Sequence, residues 1–235
     1  MSVPTSESLE LLDRIFAGLD YVGLGQIYCE EGGDEFWRAH REPALRHGIE
    51  WARALGNRLT TGTSLHVGAG VAELPILVTE VCDLRREVRV VTLNRPECEI
   101  LNACLREVGL GDRLVFEHSD AADVVIDGGY DHLSLVSVLN DPETYPVVSG
   151  LSYGRLPPVL LDTQQFEAER TRIRGLVAKL LGGLSTPAWV TTTFEEVAWL
   201  MDGAESCALH IEPDAESIET AIVGDPIGFL KVTTF

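Results

Sequence analysis

Residues 64–70 read Ser64-Leu65-His66-Val67-Gly68-Ala69-Gly70, a short apolar run that ends in a glycine turn and opens a helix. A second apolar run, Val88-Arg89-Val90-Val91-Thr92-Leu93, stops at the polar pair Asn94-Arg95. A third, Arg113-Leu114-Val115-Phe116-Glu117, stops at Ser119-Asp120. Between them the pattern predicts helices over 72–81 and 96–108, the second with Pro96 in its first turn and Gly109 at its end, as helix termini prefer. Strand, glycine turn, helix, strand with a polar tip, helix, strand with an acidic tip is the order of an open α/β sheet able to hold an adenosine. The glycines let the backbone approach the ligand, and the strand tips supply contacts to ribose and base.

The bulk composition narrows the partners. The chain has 235 residues, 45% hydrophobic and 23% charged, enough for one α/β domain with a full core and a small appendage. Its 37 acids and 18 bases leave a formal net charge of −19. A surface this acidic repels phosphate backbones and anionic lipid, so small molecules or proteins are predicted as partners, with no nucleic acid and no membrane. No apolar stretch approaches the roughly eighteen residues of a membrane span, and the start, MSVPTSESLELLDR, lacks a basic region followed by an apolar one. A cytoplasmic location is the expectation. The cysteines at 29, 82, 98, 104 and 207 are odd in number and show no C-x-x-C spacing, which predicts reduced, buried thiols. None of the six histidines falls in a metal motif, and no G-x-S-x-G elbow exists.

The remainder of the chain extends the sheet in both directions. Residues 1–60 are predicted as an N-terminal helical cap or lid, with Leu9, Leu12, Phe16 and Leu19 at helical spacing behind Thr5-Ser6. The stretch 21–28 is read as broken by its glycines, and its Tyr21 and Tyr28 make it a candidate lid. Glu30-Glu31-Gly32-Gly33 reads as a loop, Asp34 as the cap of a helix carrying Phe36 and Trp37, and a further helix starts after Pro43. Residues 61–235 are predicted as the sheet domain. Its fourth strand runs from His132 to Leu139 and ends at Asn140-Asp141-Pro142-Glu143-Thr144-Tyr145-Pro146. A long helix capped at Asp162 or Thr163 reaches Gly182, a fifth strand covers Trp189–Thr193, and a short helix covers Glu195–Met201. Cys207–Ile211 and Ile227–Thr234 are strands with no helix between them, which demands antiparallel pairing. The fold class predicted is a Rossmann-like, open, mostly parallel seven-stranded sheet with a C-terminal antiparallel pair.

That closing pair after parallel strands resembles the class I S-adenosylmethionine-dependent methyltransferase fold superfamily, over roughly residues 60–235. The resemblance implies S-adenosylmethionine as cofactor, with Gly68, Ala69 and Gly70 under its methionine and ribose portions, Asn94 on the ribose hydroxyls, and Asp120 and Ala121 reading adenine. It implies that Asn140 and its neighbours face the sulfonium, so that Asn140 or Asp141 orients or deprotonates the acceptor and Tyr21, Tyr28 or Tyr145 walls the sulfonium by cation–π contact. Two positions depart from the family: His66 and Asn94 stand where acids are common. His66 has no carboxylate for the methionine ammonium and is either a core residue or a direct ligand contact. Asp120 also reads as an ordinary helix cap, and 140–145 as an ordinary turn. Asn94-Arg95 would suit a 2′-phosphate, which keeps an NADP site open, although Glu73 occupies the third glycine position of a dinucleotide fingerprint.

Three functions follow as expectations. The first is methyl transfer to a small molecule, by a cytoplasmic enzyme for which a homodimer is the candidate assembly. The second keeps the cofactor and transfers or cyclises its aminocarboxypropyl arm, releasing methylthioadenosine as nicotianamine-synthase-like enzymes do. The third is a non-catalytic binding protein of methyltransferase-like fold, motivated by the acids missing at 66 and 94.

Overall fold

The computed structural model describes residues 3–28, 33–124, 126, 129–222 and 224–235. Among the described residues seven strands form one sheet: β1 (Thr63–Val67), β2 (Glu87–Thr92), β3 (Phe116–His118), β4 (Tyr130–Leu135), β5 (Leu184–Thr193), β6 (Leu209–Glu219) and β7 (Pro226–Thr234). Their order is β3-β2-β1-β4-β5-β7-β6, with β7 antiparallel to both β5 and β6 and all other pairs parallel. β1 and β4 are covered on both faces, as the apolar runs of parallel strands require. Leu65, Val67, Leu133 and Leu135 pack with Ile173, Val177 and Leu180 of α7 (Thr163–Gly182) and Leu200 of α8 (Phe194–Ser206). On the other face Val90 packs with Leu74, Leu77 and Val78 of α4 (Leu74–Cys82) and Leu101 and Leu105 of α5 (Arg95–Glu107).

The N-terminal helices α1 (Ser6–Gly18), α2 (Tyr21–Tyr28) and α3 (Gly33–Gly56) share that second core through Leu12, Phe16, Leu24 and Trp37. Two expectations here are corrected. The glycines of 21–28 do not break the helix. Gly25 faces Gly33, and a Cβ on Gly33 would lie 2.5 Å from the Gly25 Cα, so the pair permits α2 and α3 to touch backbone to backbone. Pro43 does not divide α3, which runs through it as one helix of 24 residues. Residues 29–32 lie outside what is described, whereas Gly33 and Asp34, expected as loop end and helix cap, fall within α3.

The boundaries that shift most are at the strand ends. β3 begins at Phe116 rather than Arg113, and β6 continues to Glu219 beyond the expected Ile211. β5 starts at Leu184, and a register shift against β4 between Tyr130 and His132 accommodates its extra length. A helix not foreseen, α6 (Pro146–Ser152), follows the fourth strand. That strand itself stops at Leu135 instead of Leu139. The buried Glu196 carboxylate of α8 accepts hydrogen bonds from the Ser137 and Leu139 N–H groups at 3.1 and 2.6 Å, which draws the chain out of the sheet, and Ser137 takes φ +57°. The bend opens space above β1.

Candidate functional site

Strand order reverses between β1 and β4, and in open α/β sheets the crevice beyond the carboxyl ends of such strands is where ligands bind. A cavity of about 510 Å³ lies there. It is bounded by Gly68 after β1, by Thr92 to Pro96 after β2, by Ser119 to Ala121 after β3 and by Val136 to Val138 after β4. Asp141, Glu143, Thr144, Tyr145 and Leu176 close the remaining side. The size suits a ligand of nucleoside scale or larger.

Each strand tip is set by local chemistry. Gly68 has φ +69°, which L side chains rarely adopt, and a Cβ there would meet Val138 Cγ2 at 2.9 Å. Asn94 caps α5, its Oδ1 accepting from Glu97 N–H at 3.0 Å, and Asp120 caps a single 3-10 turn, its Oδ1 accepting from Ala122 N–H at 2.8 Å. Both are therefore helix caps and cavity residues together, because one cap bond leaves the rest of each side chain for another partner. Asp141 Oδ1 accepts from the N–H groups of Glu143 and Thr144 at 3.0 and 3.1 Å. Tyr145 is buried under the Arg172 guanidinium, 5.2 Å from its ring, and burial pushes its phenol up.

No protein-family model matches the sequence, and no curated protein matches it. Solved structures do. Magnesium protoporphyrin IX methyltransferase from Synechocystis PCC 6803, with bound SAM, superposes with a TM-score of 0.55 at 13% identity, over 98% of this chain and 99% of that one. The O-MT segment of StiE matches with a TM-score of 0.51 at 11% identity, over 82% of this chain and 77% of that one. The fold is that of the class I S-adenosylmethionine-dependent methyltransferases.

Within this methyltransferase fold, the structure gathers Gly68, Asn94, Arg95, Asp120, Ala121, Asp141 and Tyr145 around one cavity. Six other expected residues stand apart from its lining. Asn140 is buried, its Nδ2 donating to the Tyr153 hydroxyl at 2.9 Å, which makes it an anchor of the turn. Ala69 is buried in the core beneath the glycine turn, and Gly70 N–H donates to Glu73 Oε2 at 2.8 Å. Tyr21 donates to the Phe16 carbonyl at 2.7 Å and packs on Trp37. Tyr28 reaches over Gly70 to bond Glu97.

His66 turns to the opposite face of the sheet. Its Nε2 and the Nδ1 of His132 lie 3.1 and 3.0 Å from the same oxygen of Glu80, and all three side chains are fully buried. Burial raises the Glu80 carboxyl, but His132 and His66 outweigh it and hold the group well below the usual carboxylate range. The Arg86 guanidinium, 3.5 Å from the other Glu80 oxygen, supplies the cationic charge such a carboxylate requires. No spacing in the sequence connects residues 66, 80 and 132, so this grouping was invisible there.

Sequence reasoning also missed Leu176, which reaches the cavity from α7, and it missed Ser137 and Val138, because the apolar run through Leu139 hid the bend that brings them to the cavity. Its determinant was readable. Thr193-x-x-Glu196 is a capping-box spacing, and the Glu196 carboxylate accepts from both the N–H and the hydroxyl of Thr193.

Proposed function

We propose that the chain is an S-adenosylmethionine-dependent methyltransferase acting on a small molecule. The observation that supports this most is the convergence on one cavity of a positive-φ glycine after β1, an amide after β2 and a carboxylate after β3. Those are the groups an adenosine needs: close backbone approach, partners for the ribose hydroxyls and an acceptor for the adenine amino group. The residues fit S-adenosylmethionine, since Gly68 lines the cavity at φ +69° and the side chains of Asn94 and Asp120 beside it each make one cap bond and keep the rest of their acceptors for a ligand. When bound, that cofactor supplies an electrophilic methyl carbon. The protein's part is then to hold an acceptor in line with it and exclude water. Asp141 and Tyr145 line the cavity, which supports reading Asp141 as the residue that orients an acceptor or takes its proton. The aminocarboxypropyl alternative drew on His66, which lies buried against Glu80 and lends it no support.

The test is calorimetric titration with S-adenosylhomocysteine. Asp120→Asn keeps an N-cap of similar strength but loses the charged acceptor. It is expected to weaken binding about ten- to a hundredfold, the worth of one hydrogen bond to a charged group at about 1.5–3 kcal/mol. An unchanged Kd would leave Asp120 a cap alone. Incubating the protein with S-adenosylmethionine and candidate acceptors then identifies the reaction. Accumulation of S-adenosylhomocysteine marks methyl transfer, and methylthioadenosine marks the rival chemistry.

A further inference from the structure

Beyond the cavity wall, the carboxylate of Glu97 meets the glycine turn. Gly68 and Pro96 line the cavity, and Glu97 follows Pro96 in the first turn of α5, where Gly70 stands beside it. A Cβ added to Gly70 would lie 2.6 Å from Glu97 Oε1 and 2.7 Å from the Tyr28 hydroxyl, so three elements converge on that one backbone atom. Glu97 is only 6% exposed. Its partner is the Tyr28 hydroxyl, which donates to Oε1, and among the described residues no base is in the set of groups that face it. Those groups are Tyr28 from α2 and the buried Glu73 of the turn, with His66 acting on Glu73 from behind.

A buried carboxylate beside a second carboxylate, with no cation, is an electrostatic debt that a cationic ligand group would settle. His66 and Glu80 show the contrast in this same fold, because there a buried carboxylate has Arg86 at hand. An extended chain leaving an adenosine in the cavity and passing Gly68 arrives at Gly70. We propose that Glu97 receives the ammonium group of the amino-acid arm of S-adenosylmethionine, which displaces the Tyr28 hydroxyl from its carboxylate. This assigns to α5 an acidic function that position 66 cannot serve, and it rests on the reading of the cavity as an adenosine site. Tyr28, at the end of α2, thereby couples the N-terminal helices to occupancy of the arm's subsite.

The state of Glu97 in the free protein supports the assignment. Burial raises its carboxyl to about 7, Tyr28 pulling it down and Glu73 pushing it up. Below that pH the free protein carries a proton there. A bound ammonium requires the carboxylate, so binding releases the proton and affinity falls about tenfold for each pH unit below about 7.

Two nucleosides separate the outcomes: S-adenosylhomocysteine, which carries the arm, and methylthioadenosine, which does not. Titrations of the folded protein between pH 5.5 and 7.5 are expected to show the pH dependence for the first ligand only. Glu97→Gln is expected to weaken S-adenosylhomocysteine about ten- to a hundredfold, abolish its pH dependence and leave methylthioadenosine unchanged. Tyr28→Phe, which removes the competing donor, is expected to bind S-adenosylhomocysteine at least as tightly as the parent. Glu97→Asp, retaining the charge, guards against a folding defect and should keep the pH dependence. Unaltered S-adenosylhomocysteine binding by Glu97→Gln, or equal loss of both ligands in a variant with parental melting, overturns the assignment. If the parent protein binds neither nucleoside, the adenosine reading fails and this inference falls with it.

Discussion

Glu196→Ala is expected to lower the stability of the chain by about 3–5 kcal/mol, seen as a fall in Tm of roughly 6–20 °C. Glu196 is fully buried, and its two oxygens accept from Ser137 N–H, Leu139 N–H, the hydroxyls of Thr192 and Thr193, and Thr193 N–H. Removing the carboxylate strands several buried donors at once, and each unsatisfied group costs about 1–3 kcal/mol. The damage reaches the cavity as well, because Ser137 and Val138 line it and Ser137 is held at φ +57°. Without the carboxylate that holds it, the bend relaxes toward ordinary extended backbone. Glu196→Gln offers one acceptor oxygen in place of two and brings donors toward donors, so it should recover only part of the loss. Thermal melts of both variants, with S-adenosylhomocysteine titrated into each, check the pairing of stability with binding. A Glu196→Ala protein with parental Tm would show that the bend is set elsewhere.

Glu80→Ala is expected to cost a similar amount, about 3–5 kcal/mol, for a different reason. It leaves the fully buried Arg86 side chain with less compensating charge, and breaking a buried pair from one side is strongly destabilising. Arg86 keeps its bonds to Ser64 Oγ at 2.8 Å, to the Thr60 and Thr63 carbonyls and to Asp131, so the protein should still fold. The pH dependence carries a sign that can be read. The Glu80 carboxyl is depressed in the folded state, so its contribution is present above the unfolded value of about 4.3 and is lost as pH falls below that. His132 is depressed too, by burial working against the pull of Glu80. The unfolded chain therefore binds a proton there below about pH 6.5 that the folded chain resists, and stability again falls toward acid. Denaturant titrations from pH 7 to pH 4 should show a steeper acid loss for the parent than for a His132→Gln variant. Equal slopes would remove His132 from the balance.

Much of the sheet was legible because its determinants are local. Leu65, Val67, Val90 and Val91 lie in apolar runs bounded by glycine or polar tips, and a chain with that order of strands and helices has few ways to bury both faces. Two strands without a helix between them at the end of the chain must pair antiparallel, as β6 and β7 do. The strand tips that meet in the cavity, Gly68, Asn94 and Asp120, were also readable, since a tip is named by where its apolar run stops. Local pattern fails where a residue's partner is remote. Asn140 sits in a turn of the expected kind, but only the packed chain turns its amide to Tyr153. Pro43 reads as a helix break in isolation, yet α3 runs through it while Ala44 on one side and Trp37 on the other are buried in the core.

The sequence by itself determined the layer architecture, the mostly parallel sheet with its antiparallel close, and the three strand tips, because hydrophobic period and turn chemistry act over a few residues. Tertiary structure alone decided which buried charges meet. His66, Glu80 and His132 come from β1, α4 and β4, and Tyr28, Glu73 and Glu97 come from α2, the glycine turn and α5. No periodicity relates positions so far apart in the chain. Burial removes water as a competing partner, so those side chains take the charges and hydrogen bonds that packing brings to them.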